Sequence, residues 1–455
     1  MESLWKQGVT LSEGQVLQGE IQVQNLIIGG GMTGILTAYF LKKSGQQAMV
    51  VEASSIASGQ TQNTTAKITS QHGLIYEDMI RNNGFHRAKG YAEANEWAIG
   101  EYEEIINEEG IACDFERLPS FLYSTEIKGR DKLLREDAAA QKLGLPTRFL
   151  EGNVIKELPF EITGAVCFYK QAQFHPLKVI KKLSEGLEIY ERTNVLSVKG
   201  HKVITDNAVI IAENIIFATH YPFPIVPGFY FLRQHQDRSY VLALEGKGVP
   251  KKLSGMYYGI DEGGLSFRSA EGKLLLGGGS HRTGKVKRQS KYEGFCYLRA
   301  MSERYYPEGA EVSCWAAQDC MPHDGIPFIG KYSIFRPYWY VATGFQKWGM
   351  TSAMIAARLI SDSICGKENA YRSVFAPQRL LFRAGIRDLC VDVGESVIGL
   401  IKGFLGKKKR RCRHMGCHLE WNAEEQSWDC PCHGSRYDRK GQLKDNPAQR
   451  NISLF

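Results

Sequence analysis

The apolar and polar positions of this 455-residue chain predict a mixed α/β fold. A short apolar segment at 26–28 has the composition of a buried strand and runs into a glycine-rich turn. The residues at 35–43 predict a helix, and a second apolar strand at 48–51 follows it. This order of strand, turn, helix and strand predicts a parallel βαβ unit near the start of the chain.

Two stretches interrupt this pattern and predict a second, sheet-based domain. Residues 75–165 include a long helical period at 85–109 and then β-forming residues, and residues 224–305 contain short β-patterned segments. The first pattern resumes between them, where 193–219 predicts a hairpin and a buried parallel strand. It returns at 338–364 as a strand, a glycine-containing turn and an alanine-rich helix. The two domains are therefore expected to be interleaved along the chain.

The turn after the first strand has the glycine spacing of a dinucleotide-binding site. Gly29 allows a tight turn, Gly31 lets the backbone approach a pyrophosphate, and Gly34 lets the helix pack on the strand. The free N–H groups of the helix start would face the phosphates. Glu52 ends the second strand, where a carboxylate would accept the ribose hydroxyls. A glycine-rich βαβ turn without a ligand is the alternative, and the motif alone does not choose between FAD and NAD.

The order of these motifs over residues 20–370 resembles that of the D-amino-acid-oxidase-like flavoproteins, the superfamily of glycine and sarcosine oxidases. The resemblance implies FAD in an extended pose, bound by a Rossmann-like domain of the GR2 type that is interleaved with an antiparallel β-sheet substrate domain. The expected FAD-binding segments are 20–80, 165–222 and 306–368, and the expected substrate-domain segments are 81–164 and 223–305.

The same resemblance implies which residues contact the cofactor. The family's last helix begins at the flavin ring, where its N-terminus stabilises negative charge on the reduced ring. A polar loop at 58–67 is suited to lie along the cofactor, and the backbone of Val195 would contact the adenine. The expected contacts are Gly29, Gly31, Met32, Thr33, Gly34, Glu52, Gln60, Thr61, Thr65, Ala66, Val195, Thr219, Gly344, Trp348, Gly349, Met350 and Thr351.

The resemblance is less informative about the substrate. Amino-acid oxidases of this superfamily usually carry an arginine just before the Pro-Asp-Gly region, but residues 317–321 of this chain contain none, which puts an α-amino acid substrate in doubt. The candidate catalytic residues are Arg268, Tyr240 and His323, with Arg238 as a further candidate, and a structural role is the alternative for each. Cys320 would be the position for a covalent flavin link of the sarcosine-oxidase kind.

A cluster of cysteines and histidines near the end of the chain predicts a metal centre. Cys412 and His414 form a C-x-H motif, and Cys430 and His433 form a C-x-x-H motif. This is the ligand set of a Rieske 2Fe-2S centre, in which two thiolates bind one iron and two imidazoles bind the other. Zinc is the alternative. The two motifs resemble the Rieske family, which implies those four residues as ligands.

Further features of this segment follow from the Rieske resemblance. It implies a disulfide between Cys417 and Cys432 and hydroxyl hydrogen bonds from Ser435 and Tyr437 to the cluster sulfur. The expected lobe, 412–455, is shorter than usual. Residues 369–411 are expected to form a linker helix and a basic run.

The formal charge of +8 is concentrated toward the end of the chain, with an unbroken basic run at 407–411. A solvated linker is one interpretation, and an acidic redox partner or an anionic lipid surface is the other. No nucleic-acid-recognition motif accompanies the charge. We see no secretory signal and no apolar stretch of transmembrane length, so a cytoplasmic location with at most peripheral membrane contact is expected.

Together these features predict an FAD-dependent oxidoreductase with a Rieske centre. A small substrate with an amine or amino-acid-like C–N bond would deliver a hydride to the flavin. Single electrons would then pass to the 2Fe-2S cluster and on to a redox protein or quinone. Two alternatives are the reverse electron flow, in which the lobe feeds the flavin for a reduction, and a redox module without catalysis.

Overall fold

The computed structural model describes residues 2–152, 154–285, 292–379, 394 and 411–453. The helices are α1 Met32–Lys43, α2 Tyr76–Asn83, α3 Phe85–Glu108, α4 Ile127–Lys142, α5 Pro176–Leu183, α6 Gly294–Tyr305, α7 Gly349–Ile364 and α8 Arg372–Phe375. Short 3-10 helices are Leu4–Lys6, Gln60–Asn63 and Tyr230–Leu232. Most of the predicted linker helix and basic run at 369–411 lies outside the described residues.

The strands in chain order are β1 Gly19–Ile28, β2 Ala48–Val51, β3 Lys67–Ile68, β4 Glu116–Ser124, β5 Thr147–Glu151, β6 Gly164–Gln173, β7 Glu188–Tyr190, β8 Val195–Lys199, β9 Lys202–Thr205, β10 Ala208–Phe217, β11 Gln234–Gly246, β12 Met256–Gly259, β13 Ser266–Ala270, β14 Lys273–Arg282, β15 Gly309–Pro322, β16 Phe328–Ser333, β17 Arg336–Thr343, β18 Glu420–Asn422, β19 Ser427–Asp429, β20 Arg436–Tyr437 and β21 Leu443–Asp445. They form three sheets within the described part of the chain.

The first sheet has a parallel core in the order β17, β10, β1, β2, β7. The last residues of β1, Leu26, Ile27 and Ile28, are apolar and almost completely buried, as is usual for a parallel strand that is covered on both faces. Helices α1 and α7 pack against each other beside this sheet. In register, Ile28 lies opposite Phe217, and Phe217 lies opposite Val341. The turns that follow β1, β10 and β17 therefore meet at one edge, the usual place for a ligand in such a sheet.

The second sheet has nine strands, mostly antiparallel, and runs β15, β11, β14, β13, β12, β4, β6, β3, with β5 paired to β6. This arrangement corrects two predicted boundaries. The expected FAD-binding segments began at 165 and 306, but β6 and β15 pair within the second sheet. β15 pairs with β11 along nearly its whole length. The sequence identifies such strands by their composition but does not say which sheet they join.

The third sheet is a small antiparallel meander of β18, β19, β20 and β21. One loop precedes β18 and another follows β19, and each is closed by a similar backbone hydrogen bond. In the first loop the Cys412 N–H donates to the Cys417 carbonyl, and in the second the Cys430 N–H donates to the Ser435 carbonyl, both at 2.9 Å. The lobe at 411–453 is thus built around two cysteine-containing loops. Among the described residues, we find no helix whose length and apolar character would allow it to cross a membrane.

Candidate functional site

A cavity of about 900 Å³ lies where the ligand edge of the first sheet meets the second sheet, large enough for a nucleotide cofactor. Most of the residues expected to contact a cofactor, and one expected to contact substrate, line this cavity. They are Gly29, Gly31, Met32, Thr33, Glu52, Gln60, Thr61, Thr65, Val195, Thr219, Tyr240, Trp348, Gly349 and Met350.

The glycine turn at the cavity has no room for side chains at two positions. Gly29 has a φ of +110°, and a Cβ there would lie 2.4 Å from the Ala218 carbonyl oxygen. A Cβ on Gly34 would lie 1.9 Å from the Gly29 carbonyl oxygen. Gly34 is therefore not on the cavity wall but behind it, where it lets α1 pack against the turn. The two glycines bring the helix start to the edge of the sheet.

Helix α1 begins at the cavity with its N-terminus. Its N-cap residue, Gly31, offers no side-chain acceptor, and Thr61 Oγ1 accepts the Met32 N–H at 2.9 Å. The partial positive charge of a helix N-terminus favours an anionic group such as a phosphate. The start of α1 is thus suited to a pyrophosphate.

Glu52 holds the same turn from the next strand. Its carboxylate accepts the Gly30 N–H at 2.8 Å and the Ser54 N–H at 2.9 Å. Burial raises the pKa of Glu52, while these two bonds lower it. The predicted acid is therefore on the cavity wall and also fixes the backbone around it.

His220 is a cavity residue that no sequence motif marks. It follows Thr219 with a φ of +64° and lines the cavity. Its Nε2 is buried and has no hydrogen-bond partner among the described residues. Burial lowers its pKa, which favours the neutral ring. A buried, unsatisfied ring nitrogen on a cavity wall fits a bound polar ligand.

A partly buried ion pair lies on the cavity wall, and one of its members, Asp319, belongs to the 317–321 segment that contains no arginine. Lys347 Nζ donates to Asp319 Oδ2 at 3.2 Å, to Ser280 Oγ at 3.0 Å and to Ser239 Oγ. Burial would lower the pKa of Lys347, but Asp319 and its neighbours raise it above its usual value. The cavity therefore presents one fixed positive and one fixed negative charge side by side.

Lys67 is a second lysine on the wall, and it has no acidic partner among the ion pairs of the described residues. Its Nζ donates to Ser266 Oγ at 2.6 Å and to the Tyr257 carbonyl at 3.1 Å. Burial, with a smaller contribution from Arg268, lowers the pKa of Lys67 to about 7. This amine can exchange a proton near neutral pH.

Several predicted residues lie off the cavity wall. Arg268 is buried elsewhere, where its guanidinium donates to the Thr65 and Phe174 carbonyls and covers the Trp5 ring. His323 contacts the Leu232 carbonyl through Nε2 at 3.1 Å. Both side chains have structural contacts and lie outside the cavity lining, so the structure gives no support to a substrate-binding role, which stays a prediction. The remaining predicted contacts off the wall are Ala66, Gly344 and Thr351.

The four predicted cluster ligands converge in the small lobe. The Nδ1 atoms of His414 and His433 are 3.3 Å apart. Two nitrogens that each bind one metal at about 2 Å lie about 3 Å apart, so this spacing fits a shared iron. Burial lowers the pKa of His414 to about 4, which leaves the ring neutral and able to bind metal. Cys412 and Cys430 are buried neighbours beside them.

The hydroxyl groups expected near the cluster are also in place. Tyr437 Oη lies 3.6 Å from Cys412 Sγ, and the Ser435 side chain hydrogen-bonds to the same thiol. The disulfide expected between Cys417 and Cys432 stays a prediction, and the structure places both residues in the buried core of the lobe. Their Sγ atoms and that of Cys430 lie within 4.8 Å of one another. Three thiols therefore share this site, and its geometry does not single out the predicted pair.

The lobe itself closes part of the cavity. Its segment 443–451 contributes to the wall, and Asn446 Nδ2 donates to the Thr219 and Tyr221 carbonyls at 2.6 and 2.9 Å. The predicted substrate residue Tyr240 lies at this boundary, where its hydroxyl donates to Glu425 at 3.1 Å. The metal lobe and the nucleotide cavity are thus one continuous structure.

Comparison with known proteins identifies both parts. The FAD dependent oxidoreductase (DAO) family model matches residues 25–363. The chain belongs to this family. The Rieske [2Fe-2S] domain model matches residues 400–455. Members of the DAO family bind FAD and a Rieske domain binds a 2Fe-2S cluster, so this DAO protein is an oxidoreductase with both cofactors.

Relatives of this DAO protein include one that matches it over nearly the whole length of both chains. YhfW of Bacillus subtilis (strain 168), which is named as a Rieske 2Fe-2S iron-sulfur protein, is 36% identical over 98% of this chain and 96% of its own length. The cytochrome b6-f complex iron-sulfur subunit 2 of Trichormus variabilis is 49% identical over 43 residues, 10% of this chain and 24% of that protein.

Solved structures share the fold of the larger part. Glycine oxidase from Geobacillus kaustophilus has a TM-score of 0.65 at 18% identity and covers 79% of this chain and 99% of its own. L-proline dehydrogenase from P. horikoshii has a TM-score of 0.64 at 16% identity, with 79% and 98% covered.

Proposed function

We propose that this protein oxidises a small amine or amino-acid-like substrate in the cavity and passes the electrons, one at a time, to the Rieske cluster. The observation that carries the proposal is the shared boundary between the two sites, since segment 443–451 of the lobe lines the cavity. When bound, FAD accepts a hydride from a C–H bond, and the cluster takes up single electrons. The protein's own residues must bind, orient and deprotonate the substrate.

The charges on the cavity wall support a zwitterionic substrate. Asp319 would bind the substrate ammonium group, and Lys347 would bind a carboxylate. A substrate that carries both charges can satisfy both members of this partly buried pair without leaving either unpaired. This arrangement differs from an arginine clamp, but it suits an amino acid. The two structural neighbours named as glycine oxidase and L-proline dehydrogenase are named for substrates of that class.

Lys67 is suited to move the proton. An amine must be neutral before the hydrogen on the neighbouring carbon can leave as a hydride. The Lys67 amine, with a pKa lowered to about 7, can accept a proton from the substrate ammonium at neutral pH. Trp348, Gly349 and Met350 would lie at the flavin ring, where the start of α7 favours negative charge on the reduced ring.

Anaerobic mixing with candidate substrates tests the proposal. The purified holoprotein should be mixed with secondary amines and small amino acids while absorbance and EPR are followed. Loss of the flavin absorbance, followed by the rhombic EPR signal of a reduced Rieske cluster, is the expected result. Flavin that is reduced while the cluster stays oxidised would contradict the electron path. Flavin that is reduced only after a donor reduces the cluster would indicate the opposite direction.

A further inference from the structure

Buried charges clamp the lobe against the second sheet. The Glu425 carboxylate, which belongs to the lobe, receives bonds from Arg238 of β11 and from Arg436 of β20, and all three side chains are at most 3% exposed. A buried carboxylate between two guanidiniums is costly to separate. This cluster of charges therefore holds the lobe against β11 of the second sheet, beside the contacts between the two cofactor sites.

The loop that presents His433 faces the second sheet. A Cβ on Gly434 would lie 2.7 Å from Gln236 Cβ and 2.7 Å from Gln318 Nε2, so the loop is in close contact with both glutamines. The nearby Gly284 is equally close to Pro431, with a Cβ only 2.6 Å from the Pro431 nitrogen. The other ligand histidine, His414, is less buried than His433.

Two buried glutamines bridge this loop to the cavity wall. Gln318 Nε2 donates to the Gly434 carbonyl at 2.7 Å, and Gln236 Nε2 donates to the His433 carbonyl at 2.7 Å. Gln318 Nε2 also donates to Gln236 Oε1. Gln318 itself lines the cavity, and its backbone N–H donates to Gln60 Oε1 at 2.7 Å. One hydrogen bond thus separates the cavity wall from the residue next to a cluster ligand.

Three other contacts join the lobe to the larger part, but none of them links a residue of the cavity wall directly to a loop that bears a cluster ligand. Asn446 reaches Thr219 and Asp445 reaches Gln60, but both lie outside the two cysteine-containing loops. The Glu425 clamp contacts Tyr240 on the cavity wall, but Glu425 is five residues before the nearest cluster ligand. Gln318, by contrast, both lines the cavity and bonds directly to a ligand-bearing loop.

We propose that Gln318, supported by Gln236, is the connection through which electrons pass between the flavin cavity and the Rieske cluster. In each step one electron would leave the reduced flavin and convert one ferric iron of the cluster to ferrous. Over the two steps the flavin would also lose the proton on its N5 nitrogen to water. The second electron follows after a one-electron acceptor outside the protein has reoxidised the cluster. This inference rests on the proposed function. Both glutamines are positioning residues, since they act through the loop that bears His433.

The amides also direct positive charge at the cluster loop. Each Nε2–H group points the positive end of its dipole toward a loop carbonyl in a buried setting. Positive ends near the cluster favour its reduced form, which carries one more negative charge. Apart from its role in electron transfer, the glutamine pair should therefore raise the reduction potential of the cluster.

The test uses Gln318→Met and Gln236→Met, which keep the side-chain length and remove the donors. Photoreduction of the flavin in the full-length holoprotein should be followed by absorbance and freeze-quench EPR. We expect the rate of cluster reduction to fall at least tenfold in Gln318→Met and less in Gln236→Met. We also expect the midpoint potential of the cluster to fall in both variants. Gln442→Leu is the matched control, since Gln442 is an exposed glutamine of the lobe bonded to Asn451, and it should change neither value.

The outcomes separate this proposal from the proposed function. If the wild-type cluster never receives flavin electrons, the proposed function fails. If the wild type transfers electrons and Gln318→Met does so at the same rate, only the connection fails. Should one variant lose its cluster, the other carries the test. Loss of the cluster from both would also overturn the proposal, because the pair would then be required for cluster assembly.

Discussion

The flavin-binding part and the Rieske lobe bury different kinds of core. The first sheet and its helices bury leucine, isoleucine, valine and aromatic side chains, as an ordinary domain does. The lobe buries eight apolar residues, of which four are cysteines: Cys412, Cys417, Leu419, Cys430, Cys432, Tyr437, Ala448 and Ile452. A core of this size gives little stability without a metal. The lobe therefore depends on its cluster and its docking, whereas the larger part does not.

The strongest effects should be losses of one cofactor without the other. Gly34→Ala should leave the cavity without FAD, because the added Cβ would lie 1.9 Å from the Gly29 carbonyl oxygen. We expect the FAD content to fall at least tenfold. Gly100→Ala is the control, since a Cβ there meets no atom within 4 Å, and it should retain FAD. Full FAD binding by Gly34→Ala would show that α1 does not form the phosphate site.

Cys430→Ser should produce the complementary loss. Removing a thiolate ligand is expected to abolish the Rieske EPR signal and to expose the lobe to proteolysis, while FAD is retained. His418→Asn, which alters a histidine outside the predicted ligand set, should keep the signal. A protein that lost FAD and cluster together in Cys430→Ser would contradict the independence of the larger core.

The docking clamp should have the next largest effect. Glu425→Gln leaves Arg238 and Arg436 buried without their shared carboxylate, which is expected to cost about 3 kcal/mol. Hydrogen exchange should then increase in β18 to β21 and not in β1. Glu420→Gln, a change at an exposed lobe residue, is the control. Unchanged exchange in Glu425→Gln would mean that the lobe is held by other contacts.

The same carboxylate predicts how docking depends on pH. Burial would raise the pKa of Glu425, but Arg238 and Arg436 lower it to about 2. A carboxyl group with a lowered pKa stabilises the folded state above its unfolded pKa of about 4.3, and this contribution is lost as pH falls toward 2. Proteolysis of the lobe by pepsin should therefore accelerate below about pH 4. The Glu425→Gln variant should lose that part of the pH dependence.

The remaining effect concerns the proton acceptor in the cavity and should change a rate without loss of either cofactor or of docking. In the wild type, the rate of flavin reduction by substrate should rise as pH increases through about 7, because the neutral form of Lys67 accepts the proton. Lys67→Met should be slower by about tenfold to a hundredfold and lose this rise. Stopped-flow absorbance between pH 5.5 and 9 measures both. A wild-type profile that is flat across this range would exclude Lys67 as the base.

Much of the fold follows from local patterns in the sequence. The predicted strand at 48–51, helix at 85–109 and alanine-rich helix ending at 364 correspond to β2, α3 and α7. The glycine turn was also predictable, because Gly34 satisfies a steric requirement within one βαβ unit, where an added Cβ would lie 1.9 Å from the Gly29 carbonyl oxygen. The atom that excludes a side chain at Gly29 is the carbonyl oxygen of Ala218, which is far away in the sequence. The convergence of the four predicted cluster ligands was also predictable, since their spacing within two short loops brings them together.

Features that depend on distant contacts could not be predicted. Arg268 and His323 are polar residues in the expected regions, but their partners, such as Phe174 and Leu232, are far away in the sequence. Lys67 and His220 were missed because burial, and not a motif, makes them chemically distinctive. The docking of the lobe was likewise hidden, since Gln236, Gln318 and Gly434 become neighbours only after three separate segments fold together.

The decisive question is whether electrons pass from the flavin to the cluster within one molecule. The flavin of the full-length holoprotein should be photoreduced in the absence of substrate, and the appearance of the reduced-cluster EPR signal should be timed at several protein concentrations. The docked structure predicts a first-order rate that does not depend on protein concentration. A rate that increases in proportion to concentration, or a cluster that remains oxidised, would contradict a fixed internal connection between the two sites.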